Sequence, residues 1–357
     1  MKVRSYIPGE NVDQVLDLRA EVWGADHPHT DPAFYKWLFQ DTPIGPGSGI
    51  IVERNDRVVG FAGMHIRLAR HGDTTIRVSH GLDFMVSPSL GGVLSGRVMV
   101  KIVHSHRDLA IEKGFDCNLN YPNDNSHKIL VSKRFEYEPV FETDLYLRTV
   151  GPVTFKDSGM AKRIGSSVIG RAGALYAKAR SATLRKSATI EQVTQFDARF
   201  DDHWERLWPD GRLRFMRDAQ TLQWRYGAHP LHDYTILAAL KDGEVAGYAV
   251  VTTREIMSTD ALLICDLAVA GDDKGVNDVL LEGVAETAKR LGTPLIVAQA
   301  VRTHPSTRNL TRAGFLRVPH KANPKPFRLI AGQYSDRGAP VLDANAWSFS
   351  WGDMDVV

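Results

Sequence analysis

The sequence predicts an α/β (α+β) protein built from two tandem copies of one domain, and three observations carry that expectation. First, Asp218, Trp224 and Pro230 lie 187 positions beyond Asp31, Trp37 and Pro43, with the spacings between them unchanged. The same offset carries Gly60-Phe-Ala onto Gly247-Tyr-Ala, and farther on Asp83-Phe-Met-Val finds Asp266-Leu-Ala-Val. Second, Lys113-Gly-Phe parallels Leu291-Gly-Thr, and Arg134-Phe135 parallels Gly314-Phe315, so the matches continue in one order as loop lengths drift. A period this long means a duplicated domain, not a solenoid. Third, period-two runs and helical spacings alternate in each half, and one junction is a strand, a glycine-rich turn and a helix.

In the first half, Lys2 to Ile7 alternates like a strand. Val12, Val15, Leu16, Leu18 and Val22 follow at helical spacing, with Asn11 in the N-cap position. A second helix starts on Asp31-Pro and centres on Trp37. Residues 49–53 and 57–68 read as a hairpin closed by Arg54-Asn-Asp, and Thr75 to Val86 as the next strand. That strand stops at Pro88, and Val93, Val98, Ile102 and Leu109 then recur at helical spacing. Phe115 to Tyr121 is a strand, Asn125 to Lys133 a helix and Phe135 to Arg148 a final strand. The second half repeats the plan, which sets boundaries at 1–150, 151–189 and 190–357.

Strand, glycine loop and helix start together point free backbone N–H groups and a positive dipole end at an anion, most often a pyrophosphate. Gly91, Gly92 and Gly96 make the loop, and Arg97 would add a fixed cation unless it is only a helix-surface arginine. An ordinary glycine turn is the competing reading. Asp83 shares a strand face with Met85 by period two and is either a general base or a hydrogen-bonded strand carboxylate.

These residues resemble the acyl-CoA-binding motif of the GNAT acetyltransferase superfamily, a strand end with V-x-P followed by Arg/Gln-x-x-Gly-x-Gly/Ala. Pro88 and Gly96 fit it; Gly91 stands in the Arg/Gln position and Leu94 in that of the first glycine. The element order of both halves, residues 2–148 and 190–330, is also similar to that of GNAT domains. The resemblance implies a mixed, mostly antiparallel twisted sheet flanked by helices in each copy, splayed where pantetheine lies between two strands. It further implies acetyl-CoA or another acyl-CoA as donor, with the backbone of Met85 or Val86 facing the thioester carbonyl and Asp83 near the acceptor amine. The family's Asn-x-x-Ser/Ala-x-x-x-Tyr motif is matched by Asn123 and Ser126 as cofactor contacts, but Leu130 occupies the tyrosine position. Tyr121 is the nearest phenol that could replace the missing general acid, unless it is a packed strand-end residue.

More narrowly, the chain is similar to tandem GNAT proteins linked to bacterial surface-polysaccharide modification. The features that carry this are the Trp37 and Trp224 helices, the Tyr121-Pro-Asn-Asp-Asn-Ser126 turn and the terminal Trp351-Gly-Asp-Met-Asp355. The two tryptophans are either hydrophobic plugs or sugar-stacking platforms. The terminal segment either folds back over the inter-domain cleft, is tucked against the sheet, or is frayed as termini often are. In the second copy the loop reads Ala270-Gly-Asp-Asp-Lys-Gly275, whose aspartates would repel a pyrophosphate, so this copy is expected to be degenerate and to wall the acceptor site.

Between the copies, residues 156–186 carry eight Lys/Arg against the single acid Asp157. This stretch is either a solvated linker helix or a basic amphipathic helix lying on an anionic surface. The net charge of +2 gives no argument for nucleic-acid binding, and Cys117 and Cys265 are too few for a disulfide framework or a zinc site. Neither a leader nor an apolar run of about 18 residues is evident, so a cytoplasmic location is expected. His104, His106 and His127 lack metal-ligand spacing, and no metal is expected.

The functional expectation is an acyl-CoA-dependent N-acyltransferase, with an acetyl donor and a small polar amine such as an amino sugar as acceptor. Aminoacyl transfer of the tandem-GNAT cell-wall type, and acyl-CoA binding without catalysis, are the alternatives.

Overall fold

The computed structural model describes residues 1–154, 160–184, 187–207, 210–256, 258–304, 306–319, 323 and 327–354, with side chains of 160–166 excluded. The first half contains β1 (Lys2–Tyr6), α1 (Val12–Trp23), α2 (Pro32–Phe39), β2 (Ser48–Arg54), β3 (Arg57–His71), β4 (Thr74–Val86), α3 (Gly92–Glu112), β5 (Cys117–Asn120), α4 (Asp124–Leu130) and β6 (Glu138–Thr149). Helix α5 (Met160–Ser181) joins it to the second half. There follow β7 (Thr189–Val193), α6 (Ala198–Leu207), β8 (Arg214–Phe215), α7 (Ala219–Leu222), β9 (Thr235–Lys241), β10 (Glu244–Ile256), β11 (Thr259–Val269), α8 (Lys274–Arg290), β12 (Leu295–Val301), α9 (Ser306–Arg312), β13 (Leu316–Arg317) and β14 (Arg328–Gln333).

The strands pair in the order β1-β2-β3-β4-β5-β14-β6-β12-β11-β10-β9-β7, which reads alike from both ends. Each half is a mixed sheet whose one parallel contact is β4 with β5, or β11 with β12. The last strands are exchanged. β14 pairs with β5 of the first half, while Thr143 to Thr149 of β6 pairs with β12 of the second. The other end of β6 pairs antiparallel with β14, so one continuous path of hydrogen bonds crosses the junction.

Packing explains the residues that repeat. Gly60 lies where α3 crosses β3, and a Cβ there would come 2.8 Å from Ile102 Cδ1 and 3.1 Å from Val98 Cγ1. At Gly247 the same atom would meet Val276 Cγ1 of α8 at 3.0 Å. Both repeats therefore use glycine to bring a helix onto the sheet. Asp31 caps α2 by accepting from Ala33 N–H, and Asp218 caps α7 by accepting from Thr221 N–H. In the second half the helix after that cap is short and runs on as a π-type turn, Gln223–Gly227.

Trp37 and Trp224 are plugs at the junction. Their rings stack 4.7 Å apart, and both are buried. Asn11 departs from its expected role. It adopts φ 50° and makes no side-chain cap, because its Oδ1 accepts from Arg4 at 2.9 Å instead. No described helix is long and apolar enough to cross a membrane.

Candidate active site

β4 and β5 are hydrogen-bonded only from Val78 to His80 against Cys117 to Leu119, and beyond that rung they diverge. The opening is a cavity of about 620 Å³ with walls from both halves, including Trp23, His29, Asp83, Tyr121, His229 and Met354. Small and polar residues hold the fork open. A Cβ at Gly81 would lie 2.2 Å from Asn120 Oδ1, so only glycine lets Asn120 pack beneath it. Below, Asn118 donates to Ser79 Oγ at 2.8 Å and accepts from Tyr137 OH at 2.9 Å. These buried groups satisfy one another, as burial requires.

At the mouth of the fork β4 bulges between the pairs Phe61–Met85 and Gly63–Leu82. Asp83 sits in the bulge at φ 51°, a left-handed conformation that aspartate tolerates better than most residues. Its Oδ2 accepts two N–H groups of Arg19, whose side chain is fully buried, and Arg19 donates a further bond to His29 O at 2.7 Å. Asp83 thus lines the cavity, and its carboxylate is committed to a buried ion pair that fastens the His29 loop to β4. Ser87 N–H donates to Val59 O on β3. By strand alternation the backbone of Val86 faces the open edge and that of Met85 faces β3.

The loop after β4 leads into α3 with Gly91 as N-cap at φ 72° and no side-chain cap. A Cβ at Gly91, Gly92 or Gly96 would meet nothing within 4 Å, and Arg97 is exposed beside them. The start of α3 is therefore exposed and has no side-chain cap over its first-turn N–H groups. The counterpart helix α8 differs. Asp273 accepts from Gly275 N–H at 2.8 Å and Val276 N–H at 3.2 Å, and Lys241 pairs with it at 3.2 Å. A carboxylate of the chain itself occupies the anion position of the second copy.

The second fork is filled as well. β11 leaves β12 after Leu263, but the space between holds Phe349 and its neighbours, and only about 60 Å³ remains. Asp266, the counterpart of Asp83, pairs with Arg217 at 3.0 Å, and Arg217 also bonds Asp353 at 3.0 Å. The terminal segment is therefore a buried strap. Trp347, Phe349, Trp351 and Asp353 are all in the interior, and Arg225 donates to Gly352 O at 3.1 Å. Its aromatic faces are spent on Phe141, Phe215 and Tyr121. Only Met354 reaches the cavity wall, and Asp355 lies outside the described residues.

Tyr121 lines the cavity with its ring edge-on to His80 at 5.1 Å. Asn123 caps α4, accepting from Asn125 and Ser126 N–H, so both residues sit at the cavity rim through a helix start. Leu130 is buried and offers no hydroxyl.

Sequence reasoning missed the histidines. His27 and His29 come from the first half and His229 and His232 from the second, and all four line the cavity. Burial pushes the His29 imidazole down to about 4, against a smaller upward pull from Asp83, and pushes His229 down to about 2 and His232 to about 4. All three are neutral at physiological pH. His29 Nδ1 is buried without a hydrogen-bond partner, while its ring stacks on Phe34 at 4.6 Å. The signal was a His-Pro pair in each half, His27-Pro28 and His229-Pro230. Among the described residues no group of three or more potential ligands is placed to hold a metal ion.

The fold is that of the GNAT acetyltransferases. A GCN5-related N-acetyltransferase from Anabaena variabilis superposes with a TM-score of 0.61 over 92% of this chain and 72% of that one, at 10% identity. A conserved Enterococcus faecalis protein of unknown function, described as a probable N-acyltransferase, gives 0.61 over 94% and 73%, also at 10% identity. A GCN5-related N-acetyltransferase from Kribbella flavida gives 0.58 over 95% and 73%, at 13% identity. At such identities the likeness is one of fold. No protein-family model matches the chain, and no curated protein matches it by sequence.

Proposed function

We propose that this protein is an acyl-CoA-dependent N-acyltransferase whose donor and acceptor meet in the first-half cavity. The observation that carries the reading is the contrast between the two helix starts. That of α3 is exposed, without a side-chain cap, beside an open fork, while that of α8 is capped by Asp273 beside a filled one.

Acyl-CoA, when bound, supplies an activated acyl thioester. The first-turn N–H groups after Gly91, with Arg97 alongside, hold its pyrophosphate. Asn123 and Ser126 flank it at the start of α4. The backbone N–H of Val86 polarises the thioester carbonyl. As the acceptor nitrogen bonds to the carbonyl carbon, His29 takes the amine proton at its unpartnered Nδ1. The carbon–sulfur bond then breaks, and Tyr121 donates its hydroxyl proton to the leaving sulfur. Asp83 acts at one remove, positioning His29 through Arg19.

The acceptor is a small polar amine, and an acetyl donor and an amino-sugar acceptor are the first choices to test. Four imidazoles and Trp23 line its side of the cavity, a surface able to hydrogen-bond hydroxyls and stack on a ring. Calorimetric titration with acetyl-CoA, a longer acyl-CoA and free CoA tests the donor site. One site per chain is expected, abolished by Gly96→Asp and kept by Lys274→Ala. Two equivalent sites, or none, would overturn the proposal.

A further inference from the structure

From Ser167 on, helix α5 is packed with its small residues inward and its large apolar residues outward. A Cβ at Gly170 would lie 2.5 Å from Val153 N, and one at Gly173 2.5 Å from Thr149 Oγ1. One turn on, Ala177 is buried against Gly314, where a Cβ would stand 2.9 Å from Ala177 Cα. The glycines that weaken a free helix here let α5 lie close on the end of β6.

The opposite face is a stripe of exposed apolar side chains. Val168, Ile169, Leu175 and Tyr176 are 60%, 73%, 70% and 43% exposed, and Ala172 and Ala179 fill the stripe between them. Four of the twelve exposed large hydrophobics among the described residues thus fall within nine positions of one helix, which scattered surface residues would not do. At helical spacing the stripe is about 120° wide. Arg171 and Lys178 border it on one side and Arg180 on the other.

Charge says what covers it. No acid occurs from 158 to 186. Beyond Arg180 the surface continues into a groove edged by Lys274, Arg302, Arg308, Arg312 and Arg317 with Asp272. All five cations but Arg312 are exposed, Arg302 and Arg317 share Asp144, and Arg312 pairs with Asp278. Two copies of this chain pairing through α5 would bring these cation borders together.

We propose that α5 is a docking helix for the surface of an anionic lipid bilayer. Its apolar stripe seats at the boundary of headgroups and acyl chains, and Arg171, Lys178 and Arg180 meet lipid phosphates. An apolar stripe with cationic borders on a helix too polar to span is the pattern of an interfacial helix. The inference is independent of the proposed reaction.

Flotation tests it, with vesicles of phosphatidylglycerol and phosphatidylcholine in equal parts and with phosphatidylcholine alone. The wild-type chain should float with the anionic vesicles, remain behind with the zwitterionic ones, and be released by high salt. Ile169→Glu with Leu175→Glu should cut binding at least about ten-fold. Arg171→Gln with Lys178→Gln should cut it about 25-fold, near five-fold per cation. Both variants change exposed side chains, so their melting temperatures and CoA affinity should match the wild type. Absence of flotation, equal binding by the Glu variant, or capture by soluble polyphosphate but not by vesicles would each overturn the proposal. So would a wild-type dimer that the Glu variant splits, since a second copy would then cover the stripe.

Discussion

Trp37 and Trp224 hydrogen-bond each other reciprocally: Trp37 Nε1 donates to Trp224 O at 2.8 Å, and Trp224 Nε1 donates to Trp37 O at 3.1 Å. With their rings 11° from parallel, the two residues stand either side of an approximate two-fold relation between the halves. The same relation puts β14 into one sheet and β6 into the other.

Each indole therefore fills the core and satisfies a backbone carbonyl of the other half. Trp37→Ala should destabilise the protein by about 3–5 kcal/mol, the range for a buried Trp or Phe truncation. Adding Trp224→Ala should cost clearly less than the first change, because one stacked pair is lost once. Urea unfolding of the two single variants and the double variant checks this; strict additivity would mean the rings do not act as a unit.

The Arg19–Asp83 pair separates a structural role from a chemical one. Asp83→Asn leaves the fully buried Arg19 without its counter-charge and should cost about 3–5 kcal/mol of stability. His29→Gln should leave the melting temperature nearly unchanged and lower kcat/KM by roughly 10²-fold. The pattern to look for is a fall in Tm with one variant and a fall in turnover with the other. If Asp83→Asn keeps its Tm but loses turnover, Asp83 itself is the base.

Removing residues 346–357 should abolish cooperative folding. The cut takes out three buried aromatic residues, Trp347, Phe349 and Trp351, each worth about 3–5 kcal/mol. Their sum is of the same size as the roughly 5–15 kcal/mol that stabilises a typical domain. Asp353→Asn is the gentler probe and should lower Tm by weakening Arg217 and the strap together. Circular dichroism of both decides it, and a truncated chain that melts like the wild type would show the strap to be dispensable.

Stability should fall on acidification. Burial lowers the pKa of His65, His80 and His106, so the native state keeps them neutral while the unfolded chain protonates them near 6.5. The unfolded state then binds more protons as pH drops below that value, and stability present above it is lost on the way down. For His106 the loss levels off near pH 4. At one unit below 6.5 each such group costs about 1.4 kcal/mol. Melting curves from pH 7.5 to about 5 should show a steady decline, and a flat profile would mean these imidazoles already carry protons in the fold.

The sequence by itself determined what depends on near neighbours and on repetition. Period-two runs placed the strands of the first half, helical spacing placed α1 and α3, the Asp31-Pro start placed α2, and the 187-residue offset set Trp, Gly and Asp of one half against those of the other. Gly91, Gly92 and Gly96 announced a loop before a helix, since backbone freedom is written into residue type. Tertiary structure decided which partner each group found. Nothing local in Glu138 to Thr149 says that its second half pairs with the other copy, because strand pairing is set by neighbours more than a hundred residues away. The sequence left Asp83 as either a base or a hydrogen-bonded strand carboxylate, and only the fold put Arg19 beside it. It left the terminal segment over the cleft, against the sheet or frayed, and only the fold showed its aromatics inside. The glycines of α5, a residue type that weakens a free helix, mark its close contact with the end of β6 and the segment after it. The histidines of the cavity converge from two halves some 200 positions apart, and only folding brings them to one wall.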